Sequence, residues 1–381
     1  MKINGKKKIL FITGTRADYG KIKSLIKILD DNSHFEVYIF ATGMHMISNY
    51  GFTYKEIEKD GFPYIYPFIN QNVDTNMDIA LSNTIDGISY YINESNPDAI
   101  IVHGDRLEAL AGAIVGSFNN IRVFHIEGGE VSGNIDESIR HAITKFSHFH
   151  FVSNEEAKKR IVQLGEPEEN IFVFGSPDID IMYSSNLPSI EEVKEYYEIP
   201  FDKYDILMYH PVTTELGKIK GNVHLVVQSV IDSKDNFVVI YPNNDSGSDI
   251  ILKEYEKFKD NNRFRVVPSM RFEYFLSLLK HADCMVGNSS AGIRETSIYG
   301  VPTVDIGTRQ LGRYSEYKSK NIIHVNENDS IVDALHKIKN KSFEKFSPFG
   351  EGESDKLFLD ILINSNIWEV SIQKQFIDID F

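Results

Sequence analysis

The sequence predicts an α/β fold in which two Rossmann-like domains face a central cleft. Apolar runs typical of buried strands alternate with helical spacing, and this alternation occurs in two series along the chain. Such alternation implies doubly wound parallel sheets. The 381 residues and the 42% of hydrophobic residues suit two domains with separate cores. Because ligands of such sheets bind at the carboxyl ends of the strands, we expect the functional residues there.

The first series forms an N-terminal domain of residues 1–177. It opens with a strand at Lys8 to Thr13, a turn from Gly14 to Gly20, and a helix. A polar segment, residues 178–200, carries an acidic helix-like stretch and is predicted to connect the domains. The other elements predicted in this domain are strands at 35–41, 98–102, 121–126, 148–152 and 171–174, and a helix rich in small residues at 107–118.

The second series forms a C-terminal domain of residues 201–352. Its predicted strands are residues 206–209, 237–241, 264–267, 284–286 and 303–306. The tail, residues 353–381, begins with a helical stretch through Ile363. We expect its aromatic and apolar residues, such as Trp368 and Val370, to pack back across both domains.

Charge and cysteine content limit the environment and the partners. A formal net charge of −15 argues against a nucleic acid or an anionic membrane as partner, so an anionic ligand would need a concentrated positive site. No apolar stretch is long enough to span a bilayer. The single cysteine, Cys284, excludes an intramolecular disulfide, and its setting is typical of a small residue in a buried strand. We therefore expect a cytoplasmic protein.

Several chemistries lack their sequence signatures. The 12 histidines are scattered, and the alternation His148-Phe149-His150 is typical of a strand, so no metal site is predicted. Neither a Gly-x-Ser-x-Gly nor a Gly-x-Gly-x-x-Gly motif occurs. The sequence thus argues against a serine hydrolase and a dehydrogenase, and we expect no cofactor.

The loop from Gly14 to Lys21 resembles a phosphate-binding loop. It is not a Walker motif, because five residues separate its glycines and Ile22 replaces the magnesium-binding hydroxyl. Its amides, with Arg16 and Lys21, are candidates for contacts to diphosphate oxygens. The alternative is an ordinary tight turn with a solvated arginine.

Three acids of the first domain are candidates for proton transfer. Asp105 comes just past a strand, between Gly104, which permits close approach of a ligand, and Arg106, which can pair with an anion. Glu127 directly follows the next strand, where partial burial can raise the pKa of a carboxyl toward the proton-transfer range. Asp136 is a candidate for a second proton-transfer group. The alternative for Asp105 and for Asp136 is a helix N-cap.

His210 is the candidate of the second domain for catalysis or phosphate contact. It follows the first strand of that domain, where it would face the cleft opposite Asp105 and Glu127. The alternative is a structural histidine, the more usual role for one that stands alone.

The segment from Gly287 to Glu295 also follows a strand. Ser289 and Ser290 offer hydroxyls, and a helix is predicted to start at about Gly292. The hydroxyls and the N-terminal amides of that helix together suit a phosphate. Glu295, one turn into that helix, can accept hydrogen bonds from ribose hydroxyls. The alternative is a serine-capped helix with an acid in its first turn.

Taken together, these segments resemble the hydrolysing UDP-N-acetylglucosamine 2-epimerases of sialic acid biosynthesis. That family includes bacterial enzymes and the epimerase half of a mammalian bifunctional enzyme, and the resemblance covers nearly the whole chain. The motifs that carry it are GTRADY (14–19), HGDR (103–106), HIEGGEVSG (125–133), DESIRH (136–141), HPVTT (210–214), GNSS (287–290) and GTRQ (307–310).

The resemblance implies a GT-B-like architecture, with a UDP-sugar as ligand and a homodimer or homotetramer as assembly. It implies that Ser289, Ser290 and Arg16 contact the diphosphate and that Glu295 contacts the ribose. Asn243 and Arg309 are further candidates of the nucleotide site. The matching proton-transfer positions are Asp105, Glu127, Asp136 and His210.

The reaction implied by the resemblance is an anti elimination of UDP across C1 and C2, which gives 2-acetamidoglucal, followed by hydration with the opposite configuration at C2. The products are N-acetylmannosamine and UDP, in the first step of sialic acid biosynthesis. A base must act at C2 while the departing diphosphate is stabilised, so carboxylates and cationic or amide donors must share a cleft.

Other functions stay open at this point. The same chemistry on UDP-2,4-diacetamido-2,4,6-trideoxyglucose would serve legionaminic acid synthesis. A non-hydrolysing UDP-N-acetylglucosamine 2-epimerase is a second alternative, although residues 127–130 and 136–140 match the hydrolysing branch. A GT-B glycosyltransferase and a non-catalytic nucleotide-sugar sensor are the others.

Overall fold

The computed structural model describes residues 5–132, 135–311, 320–339 and 341–378. The chain divides into two compact units. The first comprises Met1–Glu130, Asp136–Ser184 and Pro348–Phe381, and the second comprises Val131–Ile135 and Ser185–Ser347. Residues 178–200, which the sequence assigned to a connection, are thus divided between the units, and the tail belongs to the first unit.

The first unit is built on a parallel sheet of seven strands. These are β1 (Lys7–Thr13), β2 (Phe35–Ala41), β3 (Tyr64–Pro67), β4 (Ala99–His103), β5 (Arg122–Ile126), β6 (Phe149–Val152) and β7 (Ile171–Val173). They lie in the order β3-β2-β1-β4-β5-β6-β7. The order reverses between β1 and β4, which is the switch point where doubly wound sheets bind ligands.

Helices cover both faces of this sheet. They are α1 (Arg16–Asp30), α2 (Tyr54–Lys59), α3 (Met77–Ser95), α4 (Leu107–Phe118), α5 (Ile135–Phe146), α6 (Glu155–Gln163) and α7 (Pro177–Met182). Side chains alternate along each strand, so Ile9 and Phe11 join the core under α1, whereas Leu10 and Ile12 join the core under α3 and α4. Because both faces of the central strands β1 and β4 are buried, these two strands carry continuous apolar runs in the sequence.

The second unit repeats this plan with six parallel strands. These are β8 (Asp205–Met208), β9 (Phe237–Ile240), β10 (Phe264–Val267), β11 (Cys284–Gly287), β12 (Thr303–Ile306) and β13 (Ile322–Val325). The order β10-β9-β8-β11-β12-β13 places its switch point between β8 and β11. Its helices are α8 (Ile190–Tyr196), α9 (Ile219–Asp232), α10 (Ser248–Tyr255), α11 (Phe272–Lys280), α12 (Glu295–Tyr299) and α13 (Ile331–Ile338).

The tail packs on the first unit through α14 (Ser354–Asn364) and the residues after it. Phe358 and Leu362 of α14 are fully buried in the core under α1. The Arg122 guanidinium of β5 donates to the carbonyls of Ile367, Trp368 and Val370 at 3.2, 2.6 and 3.1 Å. One half-buried arginine therefore fixes the path of the chain after α14.

The predicted fold class is confirmed, because each unit is a doubly wound parallel sheet. Cys284 lies fully buried in β11, as predicted, and burial raises the pKa of its thiol. The turn after β1 is shorter than predicted, since Thr15 caps α1 and the helix already begins at Arg16. In the part of the chain described above, no helix is both long and apolar enough to cross a membrane.

Candidate active site

Asp18 joins the loop after β1 to the end of β4 at the switch point of the first sheet. The backbone N–H of Gly14 donates to Asp18 Oδ2 at 3.2 Å, and the backbone N–H of Asp18 itself donates to Thr15 Oγ1 at 3.1 Å. Asp18 Oδ1 lies 2.8 Å from Nδ1 of His103, the last residue of β4. The carboxylate therefore holds the loop and the histidine together.

His103 lies between two carboxylates. Its Nδ1 faces Asp18, and its Nε2 lies 3.2 Å from Oε2 of Glu127. Burial lowers the pKa of His103, but the Glu127 and Asp18 carboxylates outweigh burial and raise this pKa to about 10. The ring is thus an imidazolium at neutral pH.

Glu127 is buried, as predicted, and it has an unusual backbone conformation. Its φ of +63° lies in the left-handed region, which a residue with a long side chain rarely adopts. Its backbone N–H donates to the Phe151 carbonyl at 2.9 Å, and the Ser176 hydroxyl donates to its Oε1. A strained backbone at a buried acid is typical of a functional constraint.

Asp105 forms an ion pair with Arg140, which α5 contributes. Arg140 is 1% exposed, and its Nη1 also donates to the Glu130 carbonyl at 2.8 Å. The Asp105 and Glu130 groups outweigh burial and raise the pKa of Arg140. Asp105 is not the N-cap of α4, because Arg106 occupies that position.

Arg106 and Asp136 complete the predicted residues near these acids. Arg106 Nε lies 3.4 Å from Oε2 of Glu108, a fully buried acid of α4. Asp136 is half-buried in the first turn of α5, within the helix and not at its N-cap. It lies four residues before Arg140, so the two residues share one face of α5.

The two cations of the β1–α1 segment have acidic partners within the first unit. Arg16 Nη2 lies 2.6 Å from Glu56 Oε1. Lys21 Nζ lies 3.0 Å from Oδ2 of Asp178, whose side chain is fully buried. Arg16 is thus held by an ion pair, in contrast to the solvated arginine of the alternative, and the role of both cations at a diphosphate stays a prediction.

In the second unit, His210 and Asn288 meet at the switch point between β8 and β11. The Asn288 side chain accepts from the backbone N–H of His210 at 2.7 Å and donates to its carbonyl at 2.9 Å. The backbone N–H of Asn243 donates to His210 Nδ1 at 3.0 Å. A neutral ring that accepts at Nδ1 carries its proton at Nε2, so Nε2–H is its donor.

Asn288 is also held from the other side. Its carbonyl accepts from Arg309 Nη1 at 3.3 Å and from Gln310 Nε2 at 3.0 Å. Gly287 precedes it with a φ of +135°, and a Cβ there would overlap the Met208 carbonyl oxygen. Glycine is therefore required where β11 passes the end of β8.

The predicted helix at Ser289 needs a correction. Residues Ser290–Gly292 form a single 3₁₀ turn, and α12 begins only at Glu295, which is its first residue. Ser289 caps the 3₁₀ turn by accepting from the Ala291 N–H at 3.3 Å. Close packing governs this path, because a Cβ on Gly292 would lie 3.0 Å from Thr303 Cγ2.

The structure therefore brings the predicted residues together in two groups. Within the first unit, Asp105, Glu127 and Asp136 lie at or beside the carboxyl edge of the sheet. Within the second unit, Asn288 connects His210 to Arg309, and Asn243 contacts the His210 ring. Ser289, Ser290, Gly292 and Glu295 follow Asn288 in the chain.

Sequence reasoning missed the residues that hold the acids and the histidine in place. They are all polar: Asp18, His103, Ser176, Arg140 and Asn288. Asp18, His103, Arg140 and Asn288 stand within the motifs. For His103 and Asn288 the available signal was their position at the end of a buried strand. In the described ranges, no group of three or more His, Cys, Asp or Glu side chains is arranged to hold a metal ion.

The two doubly wound sheets define a protein of GT-B-like architecture. A crystal structure of UDP-N-acetylglucosamine (UDP-GlcNAc) 2-epimerase from Methanocaldococcus jannaschii, in complex with UDP-GlcNAc and UDP, matches with a TM-score of 0.79 and 22% identity, over 93% of this chain and 99% of the other. The Neisseria meningitidis enzyme bound to UDP-GlcNAc matches with a TM-score of 0.75 and 17% identity, over 93% and 99%. At these identities the likeness is one of fold.

Sequence comparison identifies the family. The family model for UDP-N-acetylglucosamine 2-epimerase matches residues 27–363. A UDP-N-acetylglucosamine 2-epimerase of Neisseria meningitidis serogroup B is 48% identical over 98% of this chain and 100% of its own. A Legionella pneumophila UDP-N,N'-diacetylbacillosamine 2-epimerase (hydrolyzing) is 34% identical over 92% and 94%. The chain belongs to the UDP-N-acetylglucosamine 2-epimerase family.

Proposed function

We propose that this protein is a hydrolysing 2-epimerase, which converts UDP-GlcNAc and water to N-acetylmannosamine and UDP in the first step of sialic acid biosynthesis. The observation that carries the proposal is the buried, strained Glu127 beside the Asp105–Arg140 pair at the carboxyl edge of the first sheet. The 48% identity to the UDP-N-acetylglucosamine 2-epimerase of Neisseria meningitidis serogroup B supports UDP-GlcNAc as substrate. Relatives named as hydrolysing enzymes, at 34% and 31% identity, support release of the sugar.

The reaction requires two proton transfers and one leaving group. A carboxylate removes the C2 proton while the C1–O bond to UDP breaks, and the two electrons of the C2–H bond form the double bond of 2-acetamidoglucal. Water then adds its oxygen to C1, and C2 receives a proton on the opposite face. The products are free N-acetylmannosamine and UDP, and no redox step or cofactor is needed.

Asp105, Glu127 and Asp136 share the proton transfers at C2 and on the hydrating water. The structure supports a proton acceptor at Glu127, because its carboxylate is held from two sides, by His103 and by Ser176. A carboxylate has about four lone-pair sites, so these contacts leave acceptor capacity for a substrate proton. The ion pair with Arg140 orients Asp105 in the same way.

The second unit supplies most of the nucleotide site in this proposal, and Arg16, Lys21 and Arg106 of the first unit add cations. His210 assists at the leaving oxygen, and its Nε2–H is suited to donate there because Asn243 fixes the ring tautomer. Ser289, Ser290, Arg16 and Lys21 contact the diphosphate, and Glu295 contacts the ribose. Asn243, Gly292, Arg106 and Arg309 complete the binding residues.

A second substrate is favoured by one observation. The Legionella relative acts, by its name, on a UDP-N,N'-diacetylbacillosamine, and it is aligned over 92% of this chain. The same elimination and hydration would serve that diacetamido trideoxy sugar. The higher identity to the Neisseria relative places UDP-GlcNAc first.

The test is NMR of the purified protein with UDP-GlcNAc in deuterated water, without added metal or acceptor. We expect free UDP and N-acetylmannosamine that carries deuterium at C2. UDP-N-acetylmannosamine as the product would overturn the hydrolysing assignment in favour of a non-hydrolysing epimerase. Untouched UDP-GlcNAc would contradict the proposal, and turnover of the diacetamido trideoxy sugar would then establish the second candidate.

A further inference from the structure

We propose that His103 is a positioning residue of this reaction, whose imidazolium, clamped between Asp18 and Glu127, keeps Glu127 ionised and fixed in orientation. The inference rests on the proposed function for the role of Glu127. It goes beyond that function by assigning tasks to His103 and Asp18, neither of which is placed in contact with the substrate.

Three elements converge to make the clamp. Asp18 lies on α1, His103 ends β4 and Glu127 follows β5, so one helix and the ends of two neighbouring strands contribute. The N–O distances on the two sides of the ring are 2.8 and 3.2 Å, and the His103 side chain is 8% exposed. The Ser176 hydroxyl donates to Oε1, the second Glu127 oxygen, so the two oxygens face different groups.

The contacts require the charged form of the ring. A neutral imidazole has one N–H donor and one acceptor nitrogen, and an acceptor nitrogen facing a carboxylate oxygen would be repelled. Both ring nitrogens of His103 face carboxylate oxygens, so the doubly protonated ring alone satisfies the two contacts. The pKa of about 10 agrees with this geometry.

The other titratable group beside His103 does not compete with the two carboxylates. His125 of β5 is fully buried, with Nε2 2.9 Å from the Gly104 carbonyl, and burial lowers its pKa to about 3. It is therefore neutral over the working pH range. The carboxylates at the two ring nitrogens of His103 are those of Asp18 and Glu127.

The clamp also connects Glu127 to the loop after β1. Asp18 accepts from the Gly14 N–H with one oxygen and contacts His103 with the other. A ligand that contacts this loop is thus linked to the orientation of Glu127 through one ion-paired chain. Removing Asp18 should weaken the clamp without touching Glu127 directly.

The test compares His103→Gln, Asp18→Asn and a control, His148→Gln, in steady-state assays with UDP-GlcNAc from about pH 5 to 9. His148 is a matched control because it is a buried histidine whose ring contacts only backbone groups, the Val123 N–H and the Ile372 carbonyl. The plot of kcat against pH should fall at low pH, where the catalytic carboxylate becomes protonated; we call this fall the acidic limb. Loss of the imidazolium favours protonation of Glu127, so the acidic limb should move to higher pH in His103→Gln. We expect its kcat to fall about 100-fold with KM changed less than about threefold.

Asp18→Asn should shift the limb in the same direction by a smaller amount, and His148→Gln should leave the limb in place. A His103→Gln enzyme whose kcat falls while its acidic limb stays at the wild-type pH would reduce His103 to a structural role and overturn the proposal.

NMR of the ¹⁵N-labelled histidine ring tests the clamp without turnover. We expect His103 to remain doubly protonated at about pH 8, and Glu127→Gln to lower its pKa. A wild-type His103 that titrates near its ordinary pKa would overturn the proposal even if the enzyme is active. A charged His103 in a protein that leaves UDP-GlcNAc untouched would instead contradict the proposed function alone.

Discussion

The Asn288 side chain pairs with both backbone polar groups of His210, at 2.7 Å to the N–H and 2.9 Å to the carbonyl. Asn288 follows β11 and His210 lies just past β8, so one carboxamide continues the pairing of these two strands beyond their ends. Asn243 then binds the ring itself. The position of the His210 imidazole is therefore set by side-chain and backbone groups of two neighbouring loops.

Asn288→Ala should lower the free energy of unfolding by about 1 to 3 kcal/mol, because both backbone groups of the half-buried His210 lose their partner. Without these two bonds His210 should move, so we expect UDP affinity, measured by isothermal titration calorimetry, to fall roughly tenfold or more. Asn288→Asp can still accept from the His210 N–H but sets an oxygen against its carbonyl, so it should resemble Asn288→Ala.

The matched control is Asn321→Ala. Asn321 is also buried, and its carboxamide donates to the Val301 carbonyl at 2.6 Å. We expect a similar loss of stability with UDP affinity close to wild type. Equal affinities in the two alanine variants would contradict a specific link between Asn288 and the nucleotide.

The backbone strain at Glu127 can be isolated by two substitutions that both remove the carboxylate. The alanine variant still has a side chain at positive φ, which costs about 1 to 2 kcal/mol in the folded state. The glycine variant avoids that cost, but glycine makes the unfolded chain more flexible, which favours unfolding. Glu127→Gly should therefore be more stable than Glu127→Ala by about 0.5 to 1 kcal/mol in urea denaturation. An alanine variant as stable as the glycine variant would show that Glu127 is not strained.

Glu127→Gln tests the acid itself. Glutamine preserves the shape of the side chain but cannot accept a proton at neutral pH, so kcat should fall by about 100-fold or more. Retained affinity for UDP, measured in parallel, checks that the fold and the second unit are intact. Normal turnover by this variant would exclude Glu127 from the proton transfers.

The sequence predicts the sheets better than their edges. β1 and β9 carry continuous apolar runs because both of their faces are buried, and both strands were predicted within one residue. β3 and β13 are edge strands of four residues whose side chains are largely only partly buried, and both were missed. The hydrophobic pattern of a strand reflects how much of it is buried, and an edge strand is less buried than a central one. Its pattern is therefore weaker.

The same limit applies to the site. Asp105 and Glu127 could be located because they directly follow apolar strands, and strand ends meet at one edge of a parallel sheet. Asp18 could not be linked to His103, because 85 residues separate them in the chain and the sequence suggested a turn where α1 already runs. Partners that arrive from a helix leave no local pattern.

The coupling between Asp105 and Arg140 can be measured by a double-mutant cycle with Asp105→Asn and Arg140→Met. Arg140 is buried, so Arg140→Met leaves Asp105 and the Glu130 carbonyl without their donor and should destabilise the protein by about 3 kcal/mol. We expect a coupling free energy of about 1 to 3 kcal/mol from denaturation of the four proteins. A coupling near zero would mean that the pair does not orient Asp105.

Acid stability should depend on Glu166, a fully buried side chain near the end of α6. Its Oε1 lies 2.7 Å from Lys145 Nζ, and its Oε2 lies 2.6 Å from Lys374 Nζ and 3.3 Å from His150 Nε2. Burial raises the pKa of Glu166, but the contacts with His150 and the two lysines outweigh burial and hold this pKa at about 2. Lys374 also donates to three carbonyls at the end of α5, so the tail depends on this cluster.

Because the pKa of Glu166 is lower in the folded than in the unfolded protein, its contribution to stability is present above about pH 4.5 and is lost as the pH falls to about 2. Glu166→Gln should therefore lower the free energy of unfolding at pH 7 by on the order of 3 kcal/mol, and its stability curve should approach that of the wild type as the pH falls. Glu168→Gln is the control, since Glu168 is 69% exposed in its ion pair with Lys158 and should change little. Urea denaturation from about pH 7 to 3 measures all three proteins, and curves for Glu166→Gln and wild type that stay parallel throughout would show that Glu166 does not hold its charge in this cluster.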